Sequence, residues 1–274
     1  MLAPFQIHEP RTVQEASALL ARHGDEAAVY AGGTELLVLM KERLVHVPHL
    51  VNIKTIPGLD QIRLDGDELA IGALATHRRI ASSELVRAAF PVLAELERQI
   101  ANVRVRNAGT IGGNLCFAEP HSDPATLLIA LGARFTLASA SGERSVPAEA
   151  FFTGFLETDR KSDEILTEIR LPRLPDGARV AYERFKTHER PAATVAVAMS
   201  PGDAKIVVGS VAAVPARMRS AEAALNVGKP NAEVAELAAN EVEPVHDVFE
   251  SAEYKRHLVE VLVRKALAAV GNGQ

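Results

Sequence analysis

The stretch Arg106-Asn107-Ala108-Gly109-Thr110-Ile111-Gly112-Gly113-Asn114, followed by Asp123, is the part of the sequence around which the rest of the chain is organised. Three glycines within five residues lack a Cβ atom, so the backbone there turns sharply or approaches another group closely. Such a loop can direct its N–H groups at an anion. Asp123, before a proline and an apolar run, is typical of a helix N-terminus or of an acid that binds ribose hydroxyls. The alternative is a glycine-rich turn between two strands.

A second glycine loop, Gly32-Gly33-Thr34-Glu35, favours the ligand-binding interpretation. Residues 27–31 are small and apolar, as in a buried strand, and residues 35–43 follow the pattern of an amphipathic helix. Backbone N–H groups at such turns bind negative oxygens, and two loops in one domain can hold a pyrophosphate from both sides. Neither loop is a Walker A motif or a G-x-G-x-x-G motif, so phosphoryl transfer and the Rossmann fold are disfavoured. The sequence predicts a dinucleotide site of another α+β fold.

The composition is that of a globular protein and excludes several function classes. Of 274 residues, 47% are apolar and 24% are charged, and the net charge of −5 gives no basic surface for nucleic acid. The single cysteine, Cys116, excludes an internal disulfide and the ligand set of an iron–sulfur cluster, so any metal redox centre must belong to another chain. The sequence shows no signal peptide. It also lacks an apolar run of the ~18 residues that a membrane span needs. These features predict a cytoplasmic protein without a membrane span.

Turn residues divide the predicted elements into three groups. Strands and helices up to Pro57-Gly58 form a first small subdomain, and residues 58–175 form a second one that contains the stretch quoted above. The segment at residues 172–177 is rich in proline and marks the major domain boundary. Beyond it, residues 178–272 are predicted to form an antiparallel sheet of strands at 179–185, 194–199 and 205–214, with helices at 220–225, 231–239 and 251–270 on one face.

The two loops closely resemble those of a known family. Residues 31–37 and 106–115, with Ala118, Pro120, Ser122 and Asp123, are similar to the FAD-binding (medium) subunit of the molybdenum hydroxylases, of the carbon monoxide dehydrogenase and xanthine dehydrogenase type. The resemblance covers nearly the whole chain. It implies an α+β fold, in which a vanillyl-alcohol-oxidase-type FAD-binding domain of two subdomains precedes a C-terminal α+β domain.

The resemblance also implies a function and its partners. In this family a molybdopterin-binding large subunit oxidises the substrate, and a small subunit with 2Fe–2S clusters passes the electrons to the FAD of the medium subunit. The flavin then reduces NAD+, a quinone or another acceptor. A dimer of heterotrimers is implied, and one cysteine is consistent with iron–sulfur clusters held in another subunit.

Site residues are implied position by position. The segment from Val29 to Leu36, called the first loop below, would line the pyrophosphate, with Thr34 and Glu35 at its centre. Residues 109–114, the second loop, would approach the phosphates and ribityl chain from the other side. Asp123 would bind a ribose hydroxyl, Leu166 would lie beside the ring system and Lys186 near the flavin. Ile100 falls where some relatives place an aromatic residue beside the cofactor. The implied FAD-binding residues are Val29, Tyr30, Ala31, Gly32, Gly33, Thr34, Glu35, Leu36, Gly109, Thr110, Ile111, Gly112, Gly113, Asn114, Asp123, Leu166 and Lys186.

Two other functions remain open from the residues alone. A free-standing flavin oxidoreductase would need an acid–base residue at the flavin, and the sequence offers no clear one. A non-catalytic nucleotide-binding or assembly protein would be isolated without flavin. Cys116 fits a buried small apolar side chain better than a nucleophile, and His121 is either a loop residue or faces the flavin. The remaining histidines, among them His46, His49, His77 and His188, show no metal-ligand spacing.

Overall fold

The computed structural model describes residues 2–187 and 190–271. His188 and Asn272, the end of the predicted C-terminal domain, lie outside these residues. The N-terminal subdomain is a three-stranded parallel sheet of strand order β1-β3-β2. Its elements are β1 (Gln6–His8), α1 (Val13–His23), β2 (Ala27–Tyr30), α2 (Leu36–Lys41) and β3 (His49–Asn52).

A capping box at Thr12 and Glu15 predicts a helix through Ala21 that Gly24 closes, and α1 runs two residues further, to His23. The Thr12 hydroxyl accepts the N–H of Glu15 at 3.1 Å, which satisfies one of the donors left unpaired at the start of the helix. Gly24, with φ of 54°, ends the helix in a conformation that a side chain would strain. One face of α1 buries Leu20 in the same core as Val51 of β3, and this packing holds the helix on the sheet.

The second subdomain contains an antiparallel sheet of order β4-β5-β10-β6-β7 and a separate β8-β9 pair, with helices packed on the larger sheet. Its elements are β4 (Ile62–Asp65), β5 (Glu68–Gly72), α3 (His77–Ser82), α4 (Glu84–Ala89), α5 (Pro91–Arg98), α6 (Val103–Ala108), α7 (Ile111–Phe117), α8 (Asp123–Ala130), β6 (Arg134–Ser139), β7 (Gly142–Pro147), α9 (Ala148–Phe151), β8 (Phe152–Gly154), β9 (Glu157–Thr158) and β10 (Ile165–Pro172).

The C-terminal part is an antiparallel sheet of order β11-β12-β13-β14 followed by three helices, as predicted. Its elements are β11 (Arg179–Phe185), β12 (Ala193–Ser200), β13 (Asp203–Gly209), β14 (Ala216–Arg217), α10 (Arg219–Asn226), α11 (Asn231–Glu241) and α12 (Ala252–Gly271). One face of the sheet shares a buried apolar core with α10, α11 and α12.

Helix α8 covers the other face of this sheet and joins it to the second subdomain. The hydroxyls of Thr126 in α8 and Thr194 in β12 are both buried and lie 2.9 Å apart. A Cβ atom at Gly209 of β13 would lie 2.0 Å from the Thr126 hydroxyl, so only glycine allows this close approach. Both faces of the C-terminal sheet are therefore covered, which the sequence analysis did not predict.

Three features of the second subdomain differ from the sequence predictions. The pattern of apolar residues over 76–89 predicts one helix, but the structure has two, α3 and α4. The chain breaks between them because Ser83 is extended (ψ 127°) and its hydroxyl accepts the N–H of Val86 at 3.4 Å. Strands β4, β8 and β9 and helices α6, α7 and α9 are not predicted from the sequence. In α7 the adjacent glycines Gly112 and Gly113 lower the intrinsic helix propensity, so tertiary contacts hold the helix.

The longest described helix, α12, spans 20 residues and is amphipathic. No helix in residues 2–187 and 190–271 has the length and apolar character required to cross a membrane.

Candidate cofactor site

A cavity of about 410 Å³ lies between the two N-terminal subdomains, and Arg190 and Pro191 of the C-terminal part contribute to its rim. It combines the polar backbone of both glycine loops with apolar side chains. The predicted site residues that line it are Val29, Ala31, Gly32, Gly33, Thr34, Glu35, Leu36, Thr110, Gly112, Gly113, Asn114, Asp123 and Leu166. The fold therefore brings most of the predicted residues to one cavity, although they come from distant parts of the chain.

Residues 31–35 of the first loop carry the chain from the end of β2 into α2. Gly33 adopts φ of 70°, and a Cβ atom there would lie 2.6 Å from the ring of Tyr30. The N–H groups of residues 32–36 have no acceptor among the described residues, whereas the N–H of Leu37 donates to the Gly33 carbonyl at 3.1 Å. Five consecutive residues that line the cavity thus carry unpaired donors, which is the arrangement that binds anionic oxygens.

The second loop, residues 109–114, carries the chain from α6 into α7, and most of its N–H groups are paired within the chain. Those of Ile111 and Gly112 donate to the carbonyls of Ala75 and Ala73, at 3.1 and 2.9 Å. The N–H of Gly113 donates to the Thr110 hydroxyl at 3.1 Å. The Gly109 and Asn114 N–H groups are paired with backbone carbonyls in the same way. The expectation that this loop directs its N–H groups at an anion is therefore wrong for these five donors.

The backbones of the two loops touch each other. A Cβ atom at Gly32 would lie 2.3 Å from the Ala108 carbonyl oxygen and 2.8 Å from the Gly109 Cα. A Cβ atom at Gly109 would lie 3.3 Å from the Thr34 hydroxyl oxygen. Both glycines are required by close approach and not by a left-handed conformation. Contact between the loops fixes the position of the unpaired donors of the first loop.

Asp123 lies at the start of α8, is almost fully buried and lines the cavity. Its Oδ1 accepts hydrogen bonds from the Tyr182 hydroxyl at 2.7 Å and from Arg184 at 2.9 Å, both in β11. Burial and then the Asp123 carboxylate raise the pKa of Tyr182 well above its ordinary value, so the phenol stays protonated and donates. The acid predicted to bind ribose is thus also a link to the C-terminal part.

Apolar side chains and one buried histidine that is hydrogen-bonded to a glutamate complete the walls. Leu166 and Ile100 are both buried and line the cavity. His77 lines it too, and its Nδ1 lies 2.6 Å from Oε2 of Glu97, a fully buried carboxylate. Oε1 of Glu97 is the one buried side-chain polar atom in the described part of the chain that lacks a hydrogen-bond partner. Sequence reasoning missed this pair, because its members are 20 residues apart on α3 and α5.

Charged side chains form the rim. Glu119 accepts a hydrogen bond from His121 Nδ1 at 2.8 Å and forms an ion pair with Arg190 at 2.9 Å. Arg190 also lies 3.5 Å from Glu35 of the first loop. Burial alone would raise the pKa of Glu119, but the hydrogen bonds and charges of His121 and Arg190 outweigh it and lower that pKa. His121 Nε2 lies 3.7 Å from Asp247, so this histidine lies between two carboxylates of the rim.

Cys116 also lines the cavity, on α7. Burial raises the pKa of its thiol to about 11, so it is protonated at neutral pH and is a poor nucleophile. This agrees with the interpretation of Cys116 as a small apolar side chain.

Four predicted residues lie elsewhere. Tyr30 packs beneath Gly33 with Lys54 4.2 Å from its ring centroid, and Ile111 is fully buried in the core. Gly109 contributes through its contact with Gly32. Lys186 follows β11, is exposed and is not among the described residues that line the cavity. Its place beside the flavin stays a prediction.

The donor set of the cavity fits a dinucleotide such as FAD. A pyrophosphate needs several N–H donors without internal partners, and the first loop supplies them. A ring system needs apolar walls, which Ile100 and Leu166 supply.

Comparisons with known proteins agree with this fit. Residues 3–174 match the model of the FAD binding domain in molybdopterin dehydrogenase, and residues 180–270 match that of the CO dehydrogenase flavoprotein C-terminal domain. The chain is 36% identical over 282 residues to the carbon monoxide dehydrogenase medium chain of Hydrogenophaga pseudoflava, covering 98% of each. It is 30% identical over 279 residues to the nicotine 6-hydroxylase medium subunit of Paenarthrobacter nicotinovorans, covering 98% of each. A solved structure of the Hydrogenophaga pseudoflava carbon monoxide dehydrogenase matches 99% of this chain and 98% of its own, with 37% identity and a TM-score of 0.93.

Proposed function

This chain belongs to the FAD-binding medium subunits of the molybdenum hydroxylases, and from that premise we propose that it takes electrons from a 2Fe–2S subunit and passes them through its FAD to a separate acceptor. The chain is an oxidoreductase subunit. The observation that carries the proposal is the row of unpaired N–H groups at residues 32–36, held against the second loop. A bound flavin accepts one or two electrons by itself, so the protein needs only to hold it, tune it and leave an edge accessible.

Each predicted contact follows from this placement. The N–H groups of the first loop bind the pyrophosphate, with Thr34 and Glu35 at its centre. Thr110 and Asn114 contribute side chains from the second loop, because most N–H groups of that loop are already paired. Asp123 binds a ribose hydroxyl while it keeps its bond to Tyr182, and Leu166 packs beside the ring system.

The pairing of the ionisable groups argues against a flavin oxidoreductase that acts alone. Glu119 is paired with His121 and Arg190, and Asp123 with Tyr182 and Arg184. A general base drawn from either group would have to leave its pair. His77, which also lines the cavity, is held by Glu97. We therefore place substrate oxidation in a molybdopterin-binding large subunit and the iron–sulfur clusters in a small subunit, in a cytoplasmic dimer of heterotrimers.

The surface beside the rim suits a partner subunit. Asp247, which faces His121, belongs to a segment in which Val245 and Val248 are 57% and 90% exposed. A partner subunit that covered this segment would bury both valines beside the rim. An iron–sulfur subunit that covered this segment would bring its cluster towards the cavity.

The first test is the absorption spectrum of the protein purified with added FAD, followed by acid release and identification of the cofactor. We expect flavin bands, one FAD per chain and no iron–sulfur absorption. We also expect no oxidation of organic substrates unless the partner subunits are added. Oxidation by the isolated chain would favour the free-standing oxidoreductase, and failure to bind FAD would favour a non-catalytic assembly protein.

The placement of Asp123 is tested by substitution. Asp123→Asn keeps an oxygen for Tyr182 but loses the charge, so we expect FAD affinity to fall by about tenfold, or ~1.4 kcal/mol, with the fold retained. Asp123→Ala also leaves Tyr182 and Arg184 without their acceptor and should lower the melting temperature as well. Tyr182→Phe is the control for the link to β11 alone. Unchanged FAD affinity in Asp123→Asn would contradict the ribose contact.

A further inference from the structure

Three histidines meet on the N-terminal sheet, away from the cavity. His8 ends β1, His23 ends α1 and His49 begins β3. One ring nitrogen of each lies within 4.8 Å of one ring nitrogen of both others. All three side chains are partly exposed, and none is among the described residues that line the cavity.

The topology explains why sequence spacing does not reveal this group. The strand order β1-β3-β2 places the first and third strands side by side, with His8 opposite Val51. His49 lies two residues before Val51 and therefore on the same face of the sheet. Helix α1 covers that face and ends at His23. Sequence spacing among the histidines therefore does not indicate a metal site, and the group forms only through the fold.

The three rings lie close together, and His8 and His49 are joined by a hydrogen bond between their ring nitrogens. His8 Nε2 and His49 Nδ1 lie 3.0 Å apart, and the rings of His23 and His49 stack with centroids 3.8 Å apart. Two imidazole nitrogens that share a zinc ion at its usual bond length lie roughly 3.3 Å apart in a tetrahedral site. The three nitrogens lie within 4.8 Å of one another, so an ion would draw them together and replace the hydrogen bond between His8 and His49.

We propose that His8, His23 and His49 bind a divalent transition-metal ion of the zinc class, in a site separate from the flavin site. Three imidazoles with no carboxylate in the group favour zinc, copper or nickel over magnesium or calcium, which prefer oxygen ligands. Three protein ligands leave a coordination position for water. The C-terminal end of α1 adds a favourable partial negative charge beside His23.

The expected consequence is stabilisation of the N-terminal subdomain. One ion would join β1, α1 and β3, which are far apart in sequence, and a ligand that binds only the folded chain raises its stability by mass action. Because β2 leads directly into the first glycine loop, a firmer sheet also supports the flavin-binding segment. The site itself does not depend on the proposed electron-transfer function.

The experiment uses the full chain without a polyhistidine tag, freed of metal with a chelator. Zn²⁺ is titrated by calorimetry, and Co²⁺ is used as a spectroscopic probe of nitrogen ligation. We expect one ion per chain and a higher melting temperature with Zn²⁺, and no such effect with Mg²⁺. His23→Ala, at the end of a helix, should weaken Zn²⁺ binding by at least about tenfold while FAD content stays that of the wild type.

His46→Ala is the matched control, since His46 is exposed and only three residues from His49. It should bind Zn²⁺ as the wild type does. His49→Ala tests the same site from the sheet, and the FAD content of each variant reports whether it is folded. Absence of binding at one ion per chain, or equal binding by wild type and His23→Ala, would overturn the proposal.

Discussion

The two glycine loops of the cavity have similar compositions and opposite hydrogen-bonding states. In the first, no described residue accepts the N–H groups of residues 32–36. In the second, the N–H groups of Gly109, Gly112 and Gly113 all donate within the chain, as do those of Ile111 and Asn114. A paired donor gains little by exchanging one acceptor for another, whereas an unpaired donor gains a full hydrogen bond. We therefore expect the first loop to bind the anion and the second loop to hold the first in position.

The largest effect is expected where the two loops touch. In Gly32→Ala the new methyl group would meet the Ala108 carbonyl oxygen at 2.3 Å, and backbone atoms cannot move aside as a flexible side chain can. Separating the loops should cost about 3 kcal/mol and lower FAD affinity by about 100-fold, as measured by flavin fluorescence titration. Gly271→Ala is the control, because no neighbour in the described part of the chain lies within 4 Å of a Cβ atom there. Normal FAD binding by Gly32→Ala would show that the contact is not needed.

A smaller effect is expected in the second loop, where a substitution should lower the stability of the fold more than the affinity for FAD. The methyl group of Gly112→Ala would lie 2.6 Å from the Ala73 Cβ and 2.8 Å from its carbonyl oxygen. We expect a loss of about 1–2 kcal/mol in unfolding free energy of the flavin-free protein, since the gain in helix propensity offsets part of the overpacking. Denaturant unfolding measures it.

The double variant Ala73→Gly with Gly112→Ala should recover part of this stability, because it removes the contact between the two methyl groups. If Gly112→Ala instead lost FAD as strongly as Gly32→Ala while remaining as stable as the wild type, the division of roles between the loops would be wrong.

The sequence predicts the elements of the first loop well and those of the second poorly, for a physical reason. The strand at residues 27–31 and the helix after Glu35 have local patterns of apolar residues, and the structure has both. Helices α6 and α7 do not, because Arg and Val alternate in α6 and two glycines lie in α7. Helix α7 depends on the carbonyls of Ala73 and Ala75, which are distant in sequence.

The same limit applies to the site. Glycine spacing identifies both loops and Asp123 as candidates, but it does not tell which N–H groups are already paired. The His77–Glu97 pair and the histidine cluster of the first sheet likewise arise from tertiary contacts between residues far apart in the chain. The chemical type of each candidate residue can be predicted from the sequence, whereas its hydrogen-bond partners are known only from the folded structure.

The hydroxyl of Thr110 tests how far a single hydrogen bond stabilises the second loop. In Thr110→Val the shape is kept but the N–H of Gly113 loses its acceptor, so the start of α7 should be destabilised by about 1 kcal/mol. Thr110→Ser retains the hydroxyl and is the matched control. Thermal unfolding of the flavin-free proteins should rank Thr110→Val below both Thr110→Ser and the wild type. Equal stability of the two variants would mean that the cap does not hold the second loop.

The smallest effect concerns the rim, where Arg190 joins Glu35 of the first loop to Glu119, which follows the helix of the second. Because the pKa of Glu119 in the folded chain is lower than its ordinary value of 4.5, the folded state binds fewer protons there than the unfolded state near pH 4. The stabilisation is therefore complete above pH 4.5 and is lost as the pH falls through the lowered pKa. For a pair at a solvated rim we expect at most about 1 kcal/mol.

Glu119→Gln removes the titrating group while it keeps an oxygen for His121 and Arg190. Its melting temperature should be slightly lower than that of the wild type at pH 7, and the two should converge as the pH falls below 4.5. Glu35→Gln, at a more exposed position, should lower the melting temperature at pH 7 less than Glu119→Gln does. Parallel pH profiles of wild type and Glu119→Gln would show that the loops are joined by their backbone contact alone and that Arg190 adds nothing measurable to it.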